Sequence, residues 1–174
     1  QLKMLACLLQ YPEPQWLAVL GESRDRIAAS FSGSDSVSIR RLIDHLLSAP
    51  LLSSQEAYAA AFDLNAATCL NLSYHRFGDA KERGAQLARF AAAYQERGFE
   101  PVIPELPDYL PMVLELIAHS PDQECQWMLL EYSPSLSLLA ERLHTMHSRY
   151  ADLFKILSRM LQSTADQAKG GLHG

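Results

Sequence analysis

The stretch Ser135-Leu136-Ser-Leu-Leu139-Ala140-Glu-Arg-Leu143-His144-Thr-Met-His147 spaces its apolar side chains by threes and fours. At 3.6 residues per turn, Leu136, Leu139, Ala140 and Leu143 fall on one face of a helix. The spacing predicts a helix over 134–147, and the same step recurs outward in both directions. Downstream, 150–162 reads as a closing helix; upstream, so does 122–132, restarted after Pro121-Asp122. Before that break, Leu110, Val113, Leu114 and Ile117 mark a helix that follows the extended, proline-rich stretch Phe99 to Pro107.

The amino-terminal half repeats the pattern. Leu2, Leu5, Leu8 and Leu9 form a stripe that stops at Tyr11-Pro12, because proline cannot continue a helix. A second helix is expected from Pro14 to about Ser30, with proline in its first turn. The stretch Ser30 to Ser36 reads as a polar loop, and Ile39, Leu42, Ile43, Leu46 and Leu47 form a stripe that ends before Pro50. Ser53 or Ser54 is expected to cap the next helix, whose inner face carries Ala57, Tyr58, Ala61 and Phe62. Thr68 to Phe77 places Leu70, Tyr74 and Phe77 at helical spacing. Asp79, with Glu82 three residues on, resembles a capping box for a helix that carries Phe90 and Tyr94 inward and stops at Gly98. No segment alternates with period two, and no internal repeat is visible. The fold expected is all-α, a single-domain bundle of roughly eight to nine helices over 1–168, with a flexible tail over 169–174.

Composition narrows the function. The chain of 174 residues is 48% hydrophobic and 20% charged, with a formal net charge of -5. That balance supplies no clustered basic surface for nucleic acid, and an acidic protein draws basic partners instead. Cys7, Cys69 and Cys125 are odd in number and never form a Cys-x-x-Cys pair, so a reducing compartment, the cytoplasm, is expected. No apolar run reaches the ~20 residues of a membrane span. The opening run from Gln1 to Leu9 is too short, and lacks the small-residue cleavage site, to be read as a signal peptide.

No phosphate-loop, dinucleotide, zincin or nucleophile-elbow motif is present. His144 and His147, with Glu141, could share a helix face around a metal, but the set lacks a further ligand and is better read as a surface or rim pair. His75 and Asp79 could act as an acid–base pair, yet Asp79 is better explained as a cap. Cys69 and Cys7 have no identifiable histidine partner in sequence. The expectation is a protein that is not an enzyme and holds no metal or cofactor of its own.

Several strings carry a more specific signal. They are Leu8-Leu9-x-Tyr11-Pro12, Tyr58-x-x-x-Phe62-Asp63, Gly78-Asp79-x-x-x-Arg83-Gly84, Glu105-Leu-Pro-Asp108-Tyr109-Leu-Pro111 followed by Leu114-Glu115, and Tyr150-Ala-Asp-Leu-Phe154. Together they resemble the NarJ-type family, the delta subunit or assembly chaperone of respiratory nitrate reductase. That family sits within a wider group of chaperones for molybdoenzymes exported by the twin-arginine route. The resemblance implies a cytoplasmic chaperone that binds the N-terminal peptide of the catalytic (alpha) subunit. It would hold that subunit from its membrane anchor until the client's molybdenum cofactor, bis-molybdopterin guanine dinucleotide, and an iron–sulfur cluster are in place. Leu64, Asn65, Ala66 and Ala67 stand where the family often has basic residues, and Tyr74-His-Arg-Phe also departs from it. A dimethyl sulfoxide, selenate or formate system therefore stays open as client, and a metal-dependent helical enzyme stays as the other class. A monomer and a helix-exchanged dimer both stay open.

The peptide-binding residues expected from these motifs are Tyr58, Phe62, Asp63, Leu70, Tyr74, Asp79, Arg83, Asp108, Tyr109, Met112 and Glu115. Were the helix to start at Asp108, then Asp108, Met112 and Glu115 would share one outward face, acid, thioether, acid, suited to a cationic amphipathic helix. Each has a structural competitor. Asp108 can be an N-cap, Tyr58, Phe62 and Leu70 can be core, and Arg83 can pair with Asp79. Gly84 inside a helix suggests a close helix crossing.

Overall fold

A computed structural model describes residues 1–120 and 123–170, with side chains for all of these but 123, 124 and 164–170. Its described residues form ten α-helices and one π-helical turn, with no strand beyond a single isolated bridge. In order the helices are α1 (Leu2–Leu8), α2 (Pro14–Ala29), α3 (Gly33–Ser48), α4 (Leu51–Tyr58), α5 (Tyr74–Phe77), α6 (Glu82–Glu96), α7 (Leu110–His119), α8 (Gln123–Leu130), α9 (Ser133–Thr145) and α10 (Ala151–Gly170). The π turn spans Ala59–Asp63, directly after α4.

Helix α10 lies at the centre, packed along α9 and touching α3, α1 and α8. Its buried residues Leu153, Phe154, Leu157 and Leu161 follow the three- and four-residue step that covers one face. Helix α1 lies against α7 and buries Leu5 and Leu8, with Leu9 just beyond it; Leu5 and Leu9 also border Leu153, Phe154 and Leu157 of α10. The stripe Leu136, Leu139, Ala140 and Leu143 is buried throughout, as its spacing predicts. Helix α6 ends where expected. Gly98 takes φ 67°, Gly98 N donates to the Gln95 carbonyl and Phe99 N to the Tyr94 carbonyl. This is the Schellman closure that favours glycine.

Several elements depart from the expected bounds. Helix α3 begins at Gly33, so the expected loop to Ser36 is shorter. Helix α4 begins at Leu51 after Pro50, so Ser53 and Ser54 lie inside it rather than capping it. Thr68 to Phe77 is helical only over Tyr74–Phe77. Upstream of that turn the backbone pairs at long range, Leu110 N donating to the Leu70 carbonyl and Leu72 N to the Asp108 carbonyl. Helix α6 starts at Glu82 with Lys81 before it and no side-chain cap, so Asp79 does not cap it. Gly84 faces open space and no helix crosses there. Helix α10 takes in Lys169 and Gly170 of the expected tail; Pro121-Asp122 and 171–174 lie outside the described residues.

Candidate functional site

The Tyr58-x-x-x-Phe62-Asp63 string is where α4 passes into the π turn, with Leu64 N donating to the Ala59 carbonyl at 2.9 Å. One extra residue in the turn rotates the chain beyond it, a device that recurs at functional sites. Here it keeps Tyr58 and Phe62 inward while Asp63 emerges at the surface. The two rings pack edge to face, centroids 5.0 Å apart, with Tyr150 edge-on to both and Phe154 beneath Phe62. Tyr11 adds a further ring, 5.3 Å from Tyr58. Such edge contacts satisfy the ring quadrupoles and fix the cluster's shape.

Tyr58 is tied at its far end. Its hydroxyl lies 2.8 Å from the Leu9 carbonyl and 3.2 Å from the Tyr109 hydroxyl. A carbonyl can only accept, so the Tyr58 proton goes to Leu9 and Tyr109 donates to Tyr58. Burial pushes both phenols above their ordinary value. They are neutral hydrogen-bonding groups, and Tyr109 is left half-exposed beside α7.

These residues wall a cavity of about 420 Å³. Tyr11, Tyr58, Phe62 and Tyr109 give it an aromatic side, Leu70, Asn71 and Cys69 close the other, and Asp63 and Glu105 stand at its mouth. Desolvation raises the Asp63 carboxyl above its ordinary value. Among the described residues neither carboxylate has a cationic partner. An aromatic hollow rimmed by unpaired carboxylates is chemically prepared for a chain with apolar and basic side chains.

Five of the residues singled out from sequence meet there: Tyr58, Phe62, Asp63, Leu70 and Tyr109. The others do not join them. Asp108 is wholly buried, so the outward face of Asp108, Met112 and Glu115 does not form. Helix α7 starts at Leu110 with Tyr109 before it, so Asp108 is neither in its first turn nor its N-cap. Its carboxylate accepts from Ser73 N at 2.9 Å, Asn71 Nδ2 at 3.1 Å and the Ser73 hydroxyl. Arg83 approaches it at 3.7 Å rather than pairing with Asp79, donates to Ser73 Oγ and covers the Tyr74 ring. Asp108 and Arg83 thus lock the 71–73 turn, whose Asn71 walls the groove. Met112 and Glu115 line a separate cavity, of about 460 Å³, beneath the Phe99 to Ile103 strap. Asp79 is exposed and lines neither cavity.

His75 Nε2–H donates to the Cys69 carbonyl at 2.7 Å, and burial lowers its pKa, so it is a neutral brace and no partner of Asp79. Burial likewise raises the Cys69 thiol. His144 Nδ1 faces the Lys155 ammonium at 3.3 Å, and no cluster of three His, Cys, Asp or Glu suited to a metal occurs among the described residues. No described helix is long and apolar enough to cross a membrane. Tyr11, Cys69, Asn71 and Glu105 also line the groove, though none belongs to the peptide-binding set expected from the motifs. Tyr11 and Glu105 do stand in the Leu-Leu-x-Tyr-Pro and Glu-Leu-Pro-Asp strings, whereas nothing local marks Asn71.

The fold and the sequence have counterparts among known proteins. A crystal structure described as a candidate redox enzyme maturation protein from Archaeoglobus fulgidus superposes with a TM-score of 0.65 over 92% of this chain and 91% of that one. At 19% identity the likeness is one of fold. The nitrate reductase molybdenum cofactor assembly chaperone NarJ of Escherichia coli K12 is 32% identical over 97% of this chain and 72% of its own length. A Bacillus subtilis protein named as a probable chaperone of the same kind is 30% identical over 91% of this chain and 86% of its own. The family model of the nitrate reductase delta subunit matches residues 31–155, and with these relatives it establishes that the chain belongs to the nitrate reductase delta subunit family.

Proposed function

We propose that this chain is a non-catalytic assembly chaperone of a nitrate reductase. On this reading it works in the cytoplasm and binds the N-terminal segment of the catalytic subunit while that subunit receives its molybdenum cofactor. The relatives are named as chaperones of molybdenum cofactor assembly, not as catalysts, which supports the role. The observation that carries the binding mode is the groove between the π turn and Tyr109, aromatic inside and acidic at the rim. Its volume admits a few side chains rather than a whole helix. The peptide therefore lays one apolar face over Tyr11 and Tyr109, which Tyr58 and Phe62 support from beneath, and sets Lys or Arg against Asp63 and Glu105.

Calorimetric titration with a synthetic N-terminal peptide of the nitrate reductase catalytic subunit tests this. The wild-type chain binds it, and Asp63→Asn with Glu105→Gln weakens binding by about tenfold or more and flattens its salt dependence. Both side chains are exposed, so the double variant keeps its unfolding midpoint. An unchanged affinity in that variant refutes the groove as the site, and no binding by the wild type refutes the peptide.

A further inference from the structure

Helix α9 closes as α6 does, with one difference. Ser148 N donates to the Leu143 carbonyl and His147 N to the His144 carbonyl, both at 2.9 Å, and the chain turns at His147 with φ 54°. In α6 the left-handed position is Gly98; in α9 it is the only non-glycine residue with positive φ among those described. A Cβ there is disfavoured and glycine makes the turn more easily, so turn geometry does not account for the imidazole.

That imidazole lines a cavity of about 480 Å³ between α3, α9 and α10. The charged residues around it are Arg41, Arg149, Lys155 and a single carboxylate, Asp152, with His144 alongside. Lys155 Nζ is steered by Asp152 and His144, each 3.3 Å away. Among the described residues Arg41 and Arg149 make no side-chain hydrogen bond or ion pair, whereas Arg24, Arg40, Arg76, Arg83, Arg89 and Arg159 each face a carboxylate and Arg26 and Arg142 bond to Ser23 and the Ala67 carbonyl. In a chain with 20 acidic and 15 basic residues, a recess with surplus cation is not what composition alone would produce. The first turn of α10, whose dipole favours an anion, opens on the same space at Ala151. Through His147, Ser148 and Arg149 the cavity adjoins a smaller recess of about 230 Å³, whose walls include Leu46, Ala57 and Ala61.

We propose that this is a second binding site, for a small phosphate-bearing organic anion. Its phosphate sits among Arg41, Arg149 and Lys155, where the guanidinium forks match phosphate oxygens, and its apolar part enters the neighbouring recess. His147 is the hinge between the two.

The test titrates the full chain with inorganic pyrophosphate and with ADP, at low and high salt. Both bind saturably and weaken with salt, and ADP binds more tightly because it alone fills the recess. Arg41→Gln with Arg149→Gln lowers both affinities by about tenfold or more while leaving the unfolding midpoint in place. His147→Gly unfolds at higher denaturant yet binds ADP more weakly. No saturation by about 5 mM at low salt, or an affinity untouched by the arginine changes, overturns the proposal. ADP binding no tighter than pyrophosphate overturns the part assigned to the recess.

Discussion

Replacing Asp108 by alanine distinguishes a frame residue from a binding residue. The carboxylate is wholly buried and accepts from Ser73 N at 2.9 Å, Asn71 Nδ2 at 3.1 Å and the Ser73 hydroxyl, with Arg83 at 3.7 Å. Hydrogen bonds to a charged group contribute about 1.5–3 kcal/mol each, but burying the carboxylate costs part of that back. Alanine leaves the Ser73 amide without its acceptor and the mostly buried Arg83 without its anion, a situation that costs about 3–5 kcal/mol. Asparagine keeps the shape but turns an amide donor toward one of these donors, so about 2 kcal/mol is expected. Against a typical 5–15 kcal/mol for a domain, the alanine variant loses a large share of its stability. Urea unfolding followed by circular dichroism measures both changes, with the slope checked for constancy. A cost below about 1 kcal/mol for Asp108→Ala refutes the frame role. So does a variant that keeps its midpoint and loses only peptide affinity, since the carboxylate would then face the ligand.

Gly84 lies in the first turn of α6 with open space where a Cβ would go. Gly84→Ala is therefore expected to raise stability by about 0.5–1 kcal/mol in urea, and a loss would point to an unseen close neighbour. His147→Gly relieves a left-handed side chain and is expected to stabilise by about 0.5–1 kcal/mol, measured in the same way; a loss would mean the imidazole makes contacts that outweigh its strain. Desolvation raises the Asp63 carboxyl, so as pH falls Asp63 takes up its proton earlier than an ordinary aspartate does. The protonated form cannot pair with a basic peptide, so affinity drops as that proton is taken up. Asp63→Asn shows a shallower profile in the same titration, and an identical profile would clear Asp63.

The helices were legible because each presents one apolar stripe to one core, and spacing alone reports that. Gly98 was legible too, since the turn it makes requires what only its residue type supplies easily. Position 147 carries the same turn with a histidine, and no local rule predicts it. The failure over 68–77 has a single cause, long-range backbone pairing. Leu70 and Tyr74 sit at helical spacing, but Leu70 and Leu72 give their backbone groups to Leu110 and Asp108 instead. Propensity lost there to a tertiary contact whose partners lie far along the chain. The same pairing drew Asp108 inside, so a residue that reads locally as a cap or a surface acid became the anchor of the 71–73 turn. The π turn was equally invisible, because a single extra residue leaves the apolar pattern of Tyr58, Ala61 and Phe62 intact.

The motif residues divide by burial into those that shape the groove and those left to touch a ligand. Tyr58 and Asp108 spend their polar atoms on the backbone of Leu9 and Ser73, and Arg83 spends its own on Ser73 and Asp108. Asp63, Glu105 and Tyr109 retain free polar capacity at the mouth. Tyr150 belongs to both regions, since its ring packs 5.0 Å from Phe62 under the groove and also lines the recess beside His147. Ring contacts of this kind are rigid, so a displacement of Tyr150 by a ligand in the recess has to be taken up by the aromatic side of the groove. If the two sites are coupled through it, the coupling is reciprocal, and peptide and anion each change the other's affinity by the same factor. On the two proposals together, the acidic groove and the recess that adjoins the basic cavity meet at one ring, Tyr150, so two oppositely charged ligands would not compete for the same side chains.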